Sequence, residues 1–162
     1  MARAAAKRKQ ASNEPGYDGA VLVDVEVNVS HTRRTSRQMR CRPGSFEWRY
    51  GRKHADTALY HAGVTYATLW ETAGTADDRS PNLAAVGGGA WKGLPDARMA
   101  ALDELRVAFA RLGQLPTSRL TAYCVRGETV AEMAKAFDIP GRDMAAVVHM
   151  DLTACALHFR FL

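Results

Sequence analysis

The sequence predicts a mainly α-helical fold with a short N-terminal β element and a C-terminal helix-turn-helix. Three observations predict it: a strict alternation of valines near the start, two long stretches with helical apolar spacing, and a capped pair of short apolar segments near the end. The chain is rich enough in apolar residues, 47% of the total, to bury a sizeable core.

Residues 1–19 hold Ala, Lys, Arg, Asn and Gly with almost no large apolar side chain, and read as a flexible basic tail. From Ala20 to Val29, the residues Val21, Val23, Val25, Val27 and Val29 alternate with Leu22, Asp24, Glu26 and Asn28. A period of two with β-branched residues is a half-buried strand. A basic stretch from His31 to Cys41 follows, and Pro43-Gly44 marks a turn. Phe46, Trp48 and Tyr50 then alternate with Glu47 and Arg49, which predicts a second strand pairing with the first. Residues 20–53 are thus a strand plus a basic arm, and residues 54–162 a helical domain.

Between His54 and Thr72 the residues Ala58, His61, Ala62, Thr65, Tyr66 and Leu69 recur at three- and four-residue intervals, predicting one helix. The stretch Ala73 to Gly93, with Asp77-Asp78, Ser80-Pro81 and Gly87 to Gly89, predicts a long flexible loop. Asp96 is placed to cap a helix that turns Met99, Leu102, Leu105, Phe109 and Leu112 inward and stops at Gly113. A short helix from Ser118 to Arg126 buries Leu120, Tyr123 and Cys124 before Gly127.

Residues 129–149 carry the most informative pattern. Thr129 and Glu132 form a capping box, in which each side chain satisfies the other's free amide. Met133, Ala134 and Phe137 supply the apolar, small and apolar positions of a first helix. Asp138 and Ile139 fill the turn, with Asp able to adopt the left-handed conformation usually given to Gly. Pro140 suits the first turn of a second helix, whose inward face is Met144 and Val147. Phe137 is then buried between the two helices. Arg142, Ala145, Ala146 and His149 face outward, where a recognition helix meets the major groove. Arg142 can fork a guanine, and His149 can donate to a base or phosphate. An ordinary helical corner satisfies the same apolar spacing.

The charge is unevenly spread. Residues 1–53 hold twelve Lys and Arg against five Asp and Glu, whereas residues 54–162 hold ten against twelve. Eight basic residues crowd one segment: Arg33, Arg34, Arg37, Arg40, Arg42, Arg49, Arg52 and Lys53, opposed only by Glu47. Guanidinium density of this kind suits a polyanion, whose phosphates release counterions on contact. Interleaved Trp48, Arg49, Tyr50, Arg52 and Lys53 could also stack unpaired bases, although aromatics on one strand face more simply bury a core.

The stretch from Gly127 to Pro140, followed by a helix, resembles the last helix-turn-helix region of sigma factors. More broadly, Ala62 to Tyr66, Trp70-Glu71, the Gly-rich loop and Ala100 to Leu105 resemble a helical domain family of alphaproteobacterial and prophage regulators. That family includes activators of gene transfer agents. The resemblance implies a phage-like transcription regulator; it does not cover the Val-rich strand.

Other chemistry finds no pattern here. No Walker-type loop, no Gly-x-Ser-x-Gly and no His-Glu-x-x-His occurs. His54, Asp56 and His61 lack a fourth metal ligand nearby, and His149, Cys155 and His158 fit core and surface better than zinc. Neither a metal, a cofactor nor catalysis is expected. Cys41, Cys124 and Cys155, odd in number and widely spaced, suit reducing surroundings. No apolar run, that at Ala20 to Val23 included, is long enough for a bilayer, and the start lacks a secretory pattern. The expected location is the cytoplasm. The expected partner is double-stranded DNA, with RNA polymerase and a homo-oligomer as further partners. The alternatives are a protein-interaction module and a small DNA-packaging subunit.

Overall fold

A computed structural model describes residues 19–28, 34–51, 56–74 and 96–162. Within them the chain is mainly helical, with one two-stranded antiparallel sheet near the N-terminus. Strand β1 is Val21–Asn28, in agreement with the valine alternation. Its partner is not the aromatic stretch but the basic one: β2 is Arg34–Cys41, in register from Val21 opposite Cys41 to Asn28 opposite Arg34.

The aromatic stretch instead forms a helix, α1, Phe46–Tyr50. Gly44, at φ 86°, turns the chain, and the Ser45 hydroxyl accepts from the Trp48 amide as an N-cap. Phe46 and Tyr50 then lie one helical turn apart, and both are buried. The alternation that suggested a strand is also an i, i+4 pair.

Helix α2, Thr57–Ala73, is capped by the Asp56 carboxylate, which accepts from the Ala58 and Leu59 amides. It ends where Gly74 adopts φ 70°. Its inner face is Leu59, Ala62, Gly63, Tyr66 and Ala73. Of the predicted face, Ala62 and Tyr66 are buried, while Ala58, His61, Thr65 and Leu69 are half-buried. Helix α3, Asp96–Leu112, ends before Gly113, at φ 88°. Its buried line is Ala101, Leu105 and Ala108; Met99 and Phe109 are 42% and 37% exposed. Small alanines let α3 lie close against its neighbours, so its larger side chains are displaced to the flanks.

Helix α4, Gln114–Leu120, starts earlier than expected, with Pro116 in its first turn. It runs into a π-helical turn, Thr121–Val125, that buries Ala122, Tyr123 and Cys124. Helices α5, Val130–Ala136, and α6, Gly141–His158, follow. The core gathers Phe46, Leu59, Tyr66, Leu120, Tyr123, Met133, Met144, Val148 and Leu152.

Polar side chains fasten its elements from within. The Tyr123 hydroxyl donates to Ser45 O at 3.1 Å, fixing the loop before α1. The Tyr66 hydroxyl lies 2.9 Å from Thr121 Oγ1. Arg119 of α4 grips Asp151 of α6 with two bonds, of 2.6 and 3.0 Å. Among the described residues, no helix is long and apolar enough to cross a membrane.

Candidate nucleic-acid interface

Gly127, at φ 66°, ends the π-helical turn and leads into Thr129. The capping box is formed: the Thr129 amide donates to Glu132 Oε2 at 2.7 Å, and the Glu132 amide donates to Thr129 Oγ1 at 3.3 Å. Asp138 takes φ 53°, the left-handed turn its side chain tolerates. Pro140 sits at the N-cap of α6 rather than within its first turn, and its carbonyl accepts from Asp143 and Met144. Met133 and Met144 are buried where the helices cross. The second inward residue of α6 is Val148, 2% exposed, instead of Val147, which is half-buried. Phe137 ends α5 and packs against the core, but it is half-buried rather than enclosed.

The outward face of α6 begins with Arg142, whose side chain is 87% exposed and lies 3.5 Å from the Asp143 carboxylate. Ala146 is exposed and Ala145 half-buried. His149 is exposed, but its Nδ1 lies 3.2 Å from the Tyr50 hydroxyl, and its ring stacks on that of Tyr50. It is therefore anchored to α1 and only partly available to a ligand. Burial pushes the Tyr50 hydroxyl above the usual tyrosine range, so it stays protonated.

The basic stretch divides into roles that a count of charges hides. Arg37 and Arg40 on β2 and Arg49 on α1 are exposed. Arg40 shares a face of the sheet, by register, with Asp24, while Arg37 occupies the other face; of Arg34 only the backbone lies among the described residues. A carboxylate thus shares the face that carries Arg40. Arg33, Arg52 and Lys53 lie outside the described residues, as do His54 and nearly all of the predicted loop.

Arg42 does something else. Its Nη1 meets Glu132 Oε1 at 2.9 Å, and its Nη2 donates to Gly127 O at 2.6 Å. The Val130 amide donates to Gly44 O nearby. The end of β2 is thereby clamped to the start of α5. The Thr129 backbone and side-chain bonds, then Arg42, hold the Glu132 carboxyl below the usual range. Sequence reading placed Arg42 among phosphate-facing cations because its partner lies 90 residues away, beyond any local pattern.

Among the described residues, no three His, Cys, Asp or Glu side chains converge as a metal site. Cys155 is buried and gives its thiol to Ala62 O. No protein-family model, curated protein or solved structure matches the chain.

Proposed function

We propose that the protein is a duplex-DNA-binding transcription regulator of phage or phage-derived genes, acting in the cytoplasm. The reading rests chiefly on one observation: the Arg42 clamp and the Tyr50–His149 contact seat the arginine-bearing hairpin and α1 beside the α5–α6 corner. The first two turns of α6 would enter the major groove, with Arg142 as the base-reading group. Arg37, Arg40 and Arg49 would meet phosphates on either side. In fluorescence anisotropy with a random duplex, affinity should fall steeply with salt. Changing Arg37, Arg40 and Arg49 together to Ala should lower the magnitude of the log–log salt slope by about two to three and weaken all duplexes alike. An unchanged slope would remove these residues from the interface.

A protein-interaction reading is favoured by the rest of α6. Between Asp143 and Arg160 its one charged residue is Asp151, which is buried against Arg119, while Met150 and Leu157 are 70% and 58% exposed. RNA polymerase or a second copy of the chain could cover such a face. Arg142→Ala should relax preference at one base pair on the DNA reading. Loss of polymerase association with DNA binding intact would select the interaction module.

A further inference from the structure

The solvent side of α6 is one continuous line of side chains. Met144, Val148, Leu152 and Cys155 turn into the core. Asp143, Ala146, Met150, Ala154 and Leu157, spaced three and four residues apart, are all exposed on the opposite face. Phe161 extends the line past the end of the helix. Its amide donates to Ala156 O, and its ring stacks on that of His61 in α2 at 6.0 Å. No charge interrupts this face, because the one Asp, Glu, Lys or Arg between Asp143 and Arg160 is Asp151, buried against Arg119. The charges stand at its two ends and are opposite in sign. Asp143 is in the first turn of α6, 3.5 Å from Arg142, and Arg160 follows the last turn.

That order is complementary to its own reversal. When two copies of α6 cross antiparallel between Thr153 and Ala154, Met150 of each copy covers Leu157 of the other, and Ala146 meets Phe161. Small side chains then lie at the crossing, where the backbones come closest. Asp143 of each copy falls about 6 Å along the axis from Arg160 of the other, within the reach of an arginine side chain. A parallel pair would instead set Asp143 against Asp143 and Arg160 against Arg160, and like charges repel.

We propose that this face joins two copies of the chain through an antiparallel, twofold α6 pair. The inference rests on self-association of the face and not on DNA binding. A twofold contact presents the same patch on both copies, which the reversed order of these residues satisfies. The pair also places the base-reading arginines of the DNA reading. Arg142 and His149 lie about a quarter turn round the helix from Met150, so the twofold axis points this side of both copies in one direction. The two Arg142 stand about 35 Å apart along the pair, close to the ~34–36 Å between the half-sites of helix-turn-helix dimers.

Sedimentation equilibrium of the full chain without DNA tests the pair. A reversible monomer–dimer equilibrium is expected, weak because a single helix pair is a small interface. Met150→Glu should weaken it about tenfold or more, with the thermal melt of the monomer unchanged because the site is exposed. Asp143→Arg and Arg160→Asp should each weaken association, and the two together should restore it; Asp tolerates the left-handed backbone at position 160, where φ is 61°. Ala154→Cys, at the crossing, should form a disulfide-linked dimer on mild oxidation. Leu115→Cys, well exposed on α4, should not, and the three native cysteines are buried. A chain that stays monomeric, a dimer that Met150→Glu leaves intact, a double charge swap that does not recover, or equal cross-linking at both introduced cysteines overturns the proposal. So does a monomer that binds RNA polymerase and loses it in Met150→Glu, because polymerase then covers the face. A dimer that responds to these variants but ignores duplex DNA supports the pair and removes the DNA reading.

Discussion

The N-terminal hairpin and the helical body are held by different means. The body is fastened through its interior, by aromatic packing and by polar groups buried in pairs. The hairpin bonds mainly to itself. Val21 and Val23 are half-buried, Ala20 and Cys41 are buried at its base, and one arginine ties that base to α5. A two-stranded sheet is marginal in isolation, so the hairpin's order depends on the body while the body's order does not depend on the hairpin. The basic segment is thus seated beside the α5–α6 corner by contacts at its base.

The largest expected effect lies in the body. Arg119 and Asp151 have side chains only 13% and 8% exposed, and Asp151→Ala would strand the guanidinium. Removing one partner of a buried pair costs about 3–5 kcal/mol, which urea unfolding would measure. Changing both residues together to Met and Leu should recover most of that loss. If Asp151→Ala cost no more than a surface substitution, the pair would not fasten α4 to α6.

Gly63 comes next. A methyl group there would overlap the ring of Phe46 and crowd the Cys124 sulfur. An alanine in mid-helix ordinarily gains about 1 kcal/mol over glycine, whereas overpacking a tight core costs about 1–3 kcal/mol. The overlap involves ring atoms of a buried aromatic, so Gly63→Ala should be destabilising on balance. Phe46→Leu in the same chain should relieve it. A more stable Gly63→Ala protein would mean that α1 does not press on α2 this closely.

These two sites also show what the sequence could convey. Local chemistry was legible: the valine strand, the Thr129–Glu132 box, the left-handed Asp138, and the glycines that end α3 and the π-helical turn each act within a few residues. Pairing at a distance was not. Nothing in Phe46 to Tyr50 tells a strand from a helix until the Ser45 cap and the i, i+4 pair are weighed against the alternation. The inward face of α3 was legible in part: Leu105 is buried and Leu102 and Leu112 pack against the core, but the buried alanines, which carry little apolar signal, were missed. For the candidate site, Arg142 stands exposed on α6, but His149 is held by Tyr50 and Arg42 by Glu132, partners 99 and 90 residues away. Charge density does not separate the arginines that grip protein from those that face outward.

The smallest effect is the sharpest test of the comparison, because it addresses the arginine that ties the two regions together. Glu132 accepts from the Thr129 amide and hydroxyl and from Arg42, and all three hold its carboxyl below the usual range. A depressed carboxyl stabilises the fold above its unfolded value, near 4.3, and that contribution is lost as pH falls through the folded value. The exposed position keeps its effect on overall stability slight, so the measurement of choice is the carboxyl titration itself, followed by NMR. Thr129→Ala removes the hydroxyl but spares the amide bond, and should raise the Glu132 midpoint. Arg42→Ala should raise it too, since the guanidinium both donates to the carboxylate and opposes its charge. The second variant should also speed amide exchange at the base of the hairpin while leaving exchange in α2 and α6 unchanged. An unaltered midpoint in Arg42→Ala would show that the clamp does not form in solution.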